Sequence, residues 1–293
     1  MSVCTEDISG VPVTTVRVLV SDPDALILII PGNPGIATLY APLARQIVAQ
    51  CGGRVSAAVA GHAGHVPGHP APGGFFTLAD QLAHHRAFLA TLPPAPVIHV
   101  VGHSIGAWLA LSVLDGLPAA ARGRGFLLFP TIERMAVTPA GLRMSPMFGL
   151  LRHPAVMLSR LIRRLPGRDR LLTRALLSAV PDAERADFLH GILQLHPASL
   201  HNVLRLAGEE LATVIDRPDA LLSRHAKRLT LYYGQPDAWN LPDMAAGAAS
   251  CHPDAEVIRC SDGIPHAFML GGSTAMAALI SGRIHSEDAD CST

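Results

Sequence analysis

The chain of 293 residues is long enough to bury one large hydrophobic core, and its formal net charge of zero argues against a nucleic-acid partner. Only 16% of the residues are charged and 49% are hydrophobic, so we expect a sizeable exposed apolar patch. Neither a secretion signal nor an apolar run of the ~20 residues that span a membrane is evident, so we expect a cytoplasmic protein that is soluble or peripheral.

Strand-like and helix-like segments alternate through the first 130 residues. Apolar or β-branched runs predict strands at 13–20, 25–30, 54–60, 96–101 and 125–130. Helices are predicted at 38–50, at 78–92 and from residue 107 onward, and a loop rich in glycine, proline and histidine occupies 61–74. Fully apolar strands that alternate with helices indicate an α/β fold, in which a mostly parallel central sheet is covered by helices on both faces.

The alternation stops after residue 130. Residues 131–224 look helical throughout, and strand character returns only at 228–233 and 255–260. A helical block between two sheet strands is typical of an insertion that covers one end of the sheet. We therefore predict a core of residues 1–130 and 225–293 and a helical cap of residues 131–224.

A G-x-S-x-G pentapeptide, Gly102-His103-Ser104-Ile105-Gly106, directly follows one of the apolar strands and precedes a helix. In that setting the serine lies on a sharp strand-to-helix turn that projects its hydroxyl above the sheet. Glycines are needed on either side because side chains there would collide with the neighbouring strand and helix. The pattern predicts that Ser104 is a nucleophile.

A nucleophilic serine needs a general base, and the base needs an acid that orients it. Asp237 and His266 each follow a predicted strand, and their order after the serine is the order found in α/β-hydrolases. We therefore predict a triad of Ser104, Asp237 and His266. Glu133 is the alternative acid because it also follows a strand, although it is equally suited to pair with Arg134.

An oxyanion hole needs two backbone N–H donors. The residue after the nucleophile, Ile105, supplies one of them. The second is expected from the loop Pro31-Gly32-Asn33-Pro34-Gly35, where we favour Asn33 and place Gly32 second. Three further side chains are expected to line the substrate pocket: His103, Trp239 and Phe268.

No cofactor is required, because the triad itself supplies the nucleophile, the base and the charge stabilisation. Three histidines in the glycine-rich loop, His62, His65 and His69, lack the spacing of a known metal motif. We expect them to line or brace the loop near the site, and we expect no metal. The five cysteines are far apart, which favours free thiols in a reducing compartment.

These segments together resemble the lipid droplet-associated hydrolase family of the α/β-hydrolase superfamily. The segments that match the family occur in the expected order along the chain: 29–35 and 39–40, then 62–65, 102–107, 129–135, 232–239 and 264–268. The run Phe-Pro-Thr-Ile-Glu-Arg-Met at 129–135 is far more specific than G-x-S-x-G.

The resemblance implies an α/β-hydrolase fold with an inserted helical cap. It also implies a serine carboxylic-ester hydrolase that acts on apolar lipid esters, such as sterol or acylglycerol esters, and attaches to lipid droplets. Ser104, Asp237 and His266 fall on the catalytic positions of the family. The cap does not visibly match the family beyond being apolar and helical.

One predicted cap helix is amphipathic. Five apolar residues share one arc of a helical wheel: Met157, Leu158, Leu161, Ile162 and Leu165. Three arginines share the opposite arc: Arg160, Arg163 and Arg164. A basic amphipathic helix suits a lipid surface, so residues 152–180, with a second helix at 168–180, are a candidate droplet- or membrane-binding segment. We favour the alternative, in which the apolar arc packs on the core.

Two other functions are compatible with this sequence. One is a different reaction on the same scaffold, by a thioesterase, an acyltransferase or a peptidase. The other is a lipid-surface binding protein in which the hydrolase activity is weak or vestigial. The fold alone does not distinguish them from an ester hydrolase.

Overall fold

Eight β-strands form a single sheet in a computed structural model that describes residues 1–67, 74–118, 121–164 and 195–290. The strands are β1 Ser2–Ile8, β2 Val11–Val18, β3 Ala25–Ile30, β4 Val55–Ala60, β5 Val97–His103, β6 Gly125–Leu128, β7 Leu229–Gly234 and β8 Glu256–Cys260. Their order across the sheet is β1-β2-β4-β3-β5-β6-β7-β8.

The first two strands form a hairpin that extends an otherwise parallel sheet. β1 pairs antiparallel with β2, and β2 pairs antiparallel with β4, whereas all other neighbouring strands are parallel. Strands β3, β4, β6 and β7 are buried along their whole length, as expected for strands covered on both faces. Because parallel strands end at the same edge, the loops after β3, β5, β7 and β8 meet there.

The helices that the structure describes are α1 Ala41–Gln50, α2 Leu78–Ala90, α3 Ile105–Asp115, α4 Pro139–Phe148, α5 Arg152–Ile162, α6 Pro197–Thr213, α7 Asp219–His225, α8 Met244–Cys251 and α9 Ser273–Asp290. One hydrophobic core lies between the sheet and α1 with α9, and a second lies between the sheet and α2, α3, α7 and α8. The predicted α/β fold with helices on both faces is therefore confirmed.

The described parts of the predicted cap, 131–164 and 195–224, contain helices and no strand. A single β-bridge between Leu195 and Pro67 is the one sheet-like contact described there. Phe148 of α4, Val156 of α5 and two residues of α6 form a small apolar cluster that holds these helices together. The second cap helix, predicted at 168–180, lies outside the described residues.

The apolar arc of α5 does not pack on the core. Only Val156 of this helix is buried, whereas Met157, Leu158 and Leu161 are 59%, 56% and 59% exposed. The favoured expectation from the sequence is therefore wrong for these three side chains, because α5 contacts α6 through a different face. Within the described part of the chain, no helix is both long and apolar enough to cross a bilayer.

Candidate active site

Ser104 lies on the turn between β5 and α3, with φ of 55° and ψ of −125°. A positive φ is strained for a residue with a side chain and is held here by the packing around the turn. A Cβ atom at Gly102 would collide with the backbone of Gly106, and one at Gly106 would collide with the carbonyl of Ile30. Both positions therefore require glycine, and the hydroxyl of Ser104 is presented at the carboxyl edge of the sheet.

The structure brings Ser104, His266 and Asp237 together although they are far apart in sequence. His266 follows β8, and its Nε2 lies 3.0 Å from the Oγ of Ser104. Asp237 follows β7, and its Oδ2 accepts a hydrogen bond of 2.9 Å from the Nδ1 of His266. With a proton on Nδ1, the Nε2 atom has a lone pair directed at the serine hydroxyl, which is the geometry that a general base needs.

Three donors surround the carboxylate of Asp237. Besides His266, the backbone N–H of Trp239 donates to Oδ1 (2.9 Å) and the Nδ2 of Asn240 donates to Oδ2 (2.7 Å). Burial raises the pKa of Asp237, but the hydrogen bond and the charge interaction with His266, together with these two donors, lower it more. The carboxyl group is therefore ionised at neutral pH and has little freedom to turn.

Glu133, the alternative acid, is directed toward arginines. Its Oε2 accepts a hydrogen bond of 3.0 Å from Arg134, and its Oε1 lies 3.3 Å from the guanidinium of Arg217. The side chain is 8% exposed, so this carboxylate is buried and paired at both oxygens. Of the two candidate acids, Asp237 is the one that contacts the imidazole of His266.

The loop after β3 lies against Ser104, since a Cβ atom at Gly32 would be 2.8 Å from that of the serine. The N–H of Gly32 already donates to the hydroxyl of Tyr40 (3.0 Å), so Gly32, our second choice, does not fit the role of an oxyanion donor. Within the described residues, the N–H groups of Asn33 and Ile105 have no hydrogen-bond partner. These two amides are the available donors beside the serine.

A chain of buried hydrogen bonds links this loop to His266. The hydroxyl of Tyr40 donates to the Nδ1 of His103 (2.6 Å), and the Nε2 of His103 donates to the carbonyl oxygen of His266 (2.8 Å). Burial and the nearby His266 lower the pKa of His103 to about 3, so this ring is neutral and carries one proton. The chain fixes the backbone of His266 relative to the serine.

Two of the three expected pocket residues lie beneath the site. His103 is 3% exposed and Phe268 is 0% exposed, and their ring centroids are 4.9 Å apart. The expectation that they line the pocket is therefore wrong, because they fill the core under the loop of His266. Trp239 is closer to its expected place: it lines a cavity of about 410 Å³ beside His266 and Asp237.

The side chain of Asn33 is held by α6. Its Nδ2 donates to the carbonyl of Val203 (3.0 Å) and to the Oε1 of Glu210 (2.9 Å). Glu210 is 1% exposed; burial raises its pKa to about 8, a rise that the hydrogen bond from Asn33 reduces and the charge of Glu209 increases. At neutral pH we therefore expect this carboxyl group, which joins α6 to the loop that carries the candidate oxyanion donor, to be mostly protonated.

Two of the three loop histidines brace the same region. The Nδ1 of His65 donates to the carbonyl of Pro34 (2.9 Å), and the N–H of His62 donates to that of Gly35 (2.9 Å). His69 lies outside the described residues. Where the structure is described, no group of three or more His, Cys, Asp or Glu side chains has the geometry to hold a metal ion.

Sequence reasoning missed three residues of the site: Tyr40, Glu210 and Asn240. Tyr40 belongs to a segment that carries the resemblance, but its contact with His103, 63 residues away, and that of Glu210 with Asn33, 177 residues away, could not be predicted from their local sequence. Asn240 had a local signal, because it stands three residues after Asp237 in a turn-forming segment, where an amide can reach the carboxylate.

Comparison with known proteins gives concordant matches. Residues 23–269 match the family model described as lipid-droplet associated hydrolase. The lipid droplet-associated hydrolase of Rattus norvegicus is 31% identical over 276 residues, which cover 89% of this chain and 85% of that protein. The protein of the same name from Homo sapiens is 29% identical over 277 residues, with the same coverage of each chain. A solved carboxylesterase structure from Nitrososphaera gargenis has a TM-score of 0.67 at 13% identity, over 99% of this chain and 100% of that one, and so shares the fold.

Proposed function

The chain belongs to the lipid-droplet associated hydrolase family, and from that membership and the geometry of the site we propose that it is a serine carboxylic-ester hydrolase of apolar lipid esters. Sterol and acylglycerol esters are the substrates that the family name and the apolar cap favour. The hydrogen-bonded series from Asp237 through His266 to Ser104 carries the proposal.

The proposed reaction has two balanced halves. The Oγ of Ser104 attacks the acyl carbon while the Nε2 of His266 takes its proton, and Asp237 stabilises the imidazolium that forms. The N–H groups of Asn33 and Ile105 bind the oxyanion. His266 then returns the proton to the leaving alcohol, which leaves an acyl-serine. Water attacks this ester by the same route, and release of the carboxylic acid restores Ser104.

A fluorophosphonate probe is expected to label Ser104, because such probes react with a serine that an adjacent base activates. The measurement is mass-spectrometric mapping of the labelled residue in wild type, Ser104→Ala and Ser112→Ala. Ser112 lies on α3, the helix that follows Ser104, and donates to the carbonyl of Trp108, so its replacement is a matched control. Label should appear in wild type and Ser112→Ala at Ser104 only; label or ester turnover retained by Ser104→Ala would overturn the proposal.

The reaction class is tested by comparing an ester, a thioester and an amide that share one acyl chain. We expect the ester to have the highest kcat/KM. A higher value for the thioester or amide would assign the site to a different acyl-transfer reaction on the same scaffold.

We also propose that α5 attaches the protein to a lipid surface. Met157, Leu158 and Leu161 are exposed on this helix, and exposed Arg160 and Arg164 adjoin them. Such a helix places its apolar side chains at the acyl boundary and its guanidinium groups at the phosphates. The α4–α5–α6 apolar cluster would hold the helix to the rest of the chain.

Flotation with vesicles of phosphatidylcholine and phosphatidylserine tests the attachment. The triple variant Met157→Ser, Leu158→Ser, Leu161→Ser is expected to bind about a hundredfold more weakly or worse, since each of the three apolar side chains contributes roughly 1–2 kcal/mol. Ile215→Ser, at a residue 58% exposed but outside α5, is the control and should bind as wild type does. Equal flotation of the triple variant and wild type would contradict the assignment.

A further inference from the structure

We propose that Arg143 binds an anionic group on the alcohol half of the substrate, so that the preferred lipid esters have a leaving group with a phosphate or a carboxylate. The inference rests on the proposed ester hydrolysis at Ser104, and it gives the ester an anionic leaving group in place of the neutral alcohol of a sterol or acylglycerol ester. It comes from the cavity of about 410 Å³ that Arg143 lines together with Asp237, Trp239 and His266.

The position of the cavity assigns it to the leaving group. In the proposed reaction His266 protonates the alcohol oxygen, so the alcohol must lie within hydrogen-bond reach of this ring. The cavity is lined by residues of the loop of Asp237, Trp239 among them, and by residues of the loop of His266. A volume of this size accommodates a glycerol unit or a small head group.

Among the described residues, Arg143 differs from the other arginines around the site in having no carboxylate partner. Arg134 pairs with Glu133 and Asp243, and Arg217 pairs with Glu133 and Asp219. In the regions that the structure describes, no carboxylate lies within ion-pair distance of Arg143, which is exposed on α4. A guanidinium with five donors and no acceptor in the described part of the chain is well matched to a phosphate or a carboxylate.

The helix that carries Arg143 is fixed to the catalytic loop. Thr138 caps α4 by accepting a hydrogen bond from the N–H of Gly141 (3.0 Å). The N–H of Ala140 donates to the carbonyl of Ala238 (2.8 Å), next to Asp237. The carboxylate of Asp237 is only 1% exposed and has its own donors, so the charge that the cavity offers to a ligand is that of Arg143.

The test compares three soluble esters with one acyl chain: hexanoylglycerol, hexanoylglycerol 3-phosphate and the hexanoyl ester of glycerate. For wild type we expect the KM of each charged ester to be about tenfold below that of the neutral ester, the effect of one charged hydrogen-bonding group. Arg143→Gln should raise the KM of the charged esters about tenfold more than that of the neutral ester. Arg143→Lys should restore part of the preference, because it keeps the charge and loses the bidentate geometry.

Arg45→Gln, at an exposed arginine of α1, is the control and should keep the wild-type preference. A preference for the phosphate ester alone supports a phosphate head group, and an equal preference for glycerate supports either anion. Wild type that hydrolyses all three esters with equal KM, or an equal effect of Arg143→Gln on all three, overturns the inference and leaves the proposed function intact. Absence of hydrolysis of all three esters by wild type overturns both.

Discussion

Asp237→Asn is expected to lower kcat for a short acyl ester about 10⁴-fold, the loss typical of a triad whose acid becomes an amide. The physical reason lies in the three donors around the carboxylate, which come from His266, Trp239 and Asn240. An asparagine offers one acceptor oxygen to these three donors. Whichever way its amide turns, the amide nitrogen, itself a donor, faces at least one of the three donors.

Each orientation of that amide has a defined consequence. If the amide nitrogen faces His266, it donates to Nδ1, and the ring must then carry its proton on Nε2, where it cannot accept the proton of Ser104. If the amide oxygen faces His266, the amide nitrogen opposes the backbone N–H of Trp239, and the charge that stabilises the imidazolium is lost in any case. KM should change much less than kcat, because the carboxylate is only 1% exposed and contacts His266 instead of the substrate.

Glu133→Gln is the matched comparison, because it makes the same chemical change in the other candidate acid. This side chain pairs with Arg134 and Arg217, so its neutralisation should affect stability while kcat stays within about threefold of wild type. Steady-state hydrolysis of 4-nitrophenyl butyrate, with the thermal midpoint of each variant to show that it is folded, gives the result. A larger loss of kcat in Glu133→Gln than in Asp237→Asn would make Glu133 the acid.

The sequence alone does not show which of the two carboxylates, Asp237 or Glu133, pairs with His266. Both follow a strand at the same edge of the sheet, so their local sequences are equally suitable. What separates them is Arg217, which reaches Glu133 from 84 residues away, and His266, which reaches Asp237. The turn around Ser104 could be predicted because its determinants, an apolar strand, flanking glycines and a following helix, are all local.

The N-terminal strand was not predicted, although a local signal for it exists. β1 is a polar and mostly exposed segment at the edge of the sheet, so it has no apolar pattern. Ser9 and Gly10, with φ of 55° and 84°, form the two-residue connection that pairs Ile8 with Val11. A Ser-Gly pair between β-rich segments is a known hairpin signal. By contrast, the exposure of α5 depends on which face its neighbour α6 covers, and the sequence of one helix does not contain that information.

Glu210→Gln is expected to gain stability relative to wild type as the pH rises from about 4.5 to about 8. Burial raises the pKa of Glu210 to about 8 in the folded chain, from an ordinary value of 4.5. Below pH 4.5 the carboxyl is protonated in both the folded and the unfolded chain, so it does not make the free energy of unfolding depend on pH. Between the two values the unfolded chain releases the proton while the folded chain keeps it, so the free energy of unfolding falls as the pH rises. Over this pH range the free energy of unfolding falls by about 5 kcal/mol because of this group.

The comparison with the variant is necessary because the buried histidines make the free energy of unfolding rise with pH, whereas Glu210 makes it fall. Burial lowers the pKa of His65 and His84 to about 4 and that of His103 to about 3. Their contribution to the free energy of unfolding is fully present above their ordinary pKa of about 6.5, and it is lost as the pH falls through their lower pKa values in the folded chain. The pH profile of wild type alone therefore mixes two opposing slopes, whereas the difference between wild type and Glu210→Gln isolates the carboxyl group.

Urea unfolding of wild type, Glu210→Gln and Glu210→Ala at several pH values from 4.5 to 8.5 measures this difference. Glutamine retains an oxygen that can accept the hydrogen bond from Asn33, so its advantage over wild type should grow with pH and level off above about 8. Alanine leaves Asn33 without that acceptor and opens a cavity, so it should be less stable than glutamine at every pH. A constant difference between wild type and Glu210→Gln across this range would mean that the carboxyl is ionised in the folded chain. The hydrogen bond from Asn33 to Glu210, which links α6 to the loop of residues 31–35, would then be made to a charged carboxylate.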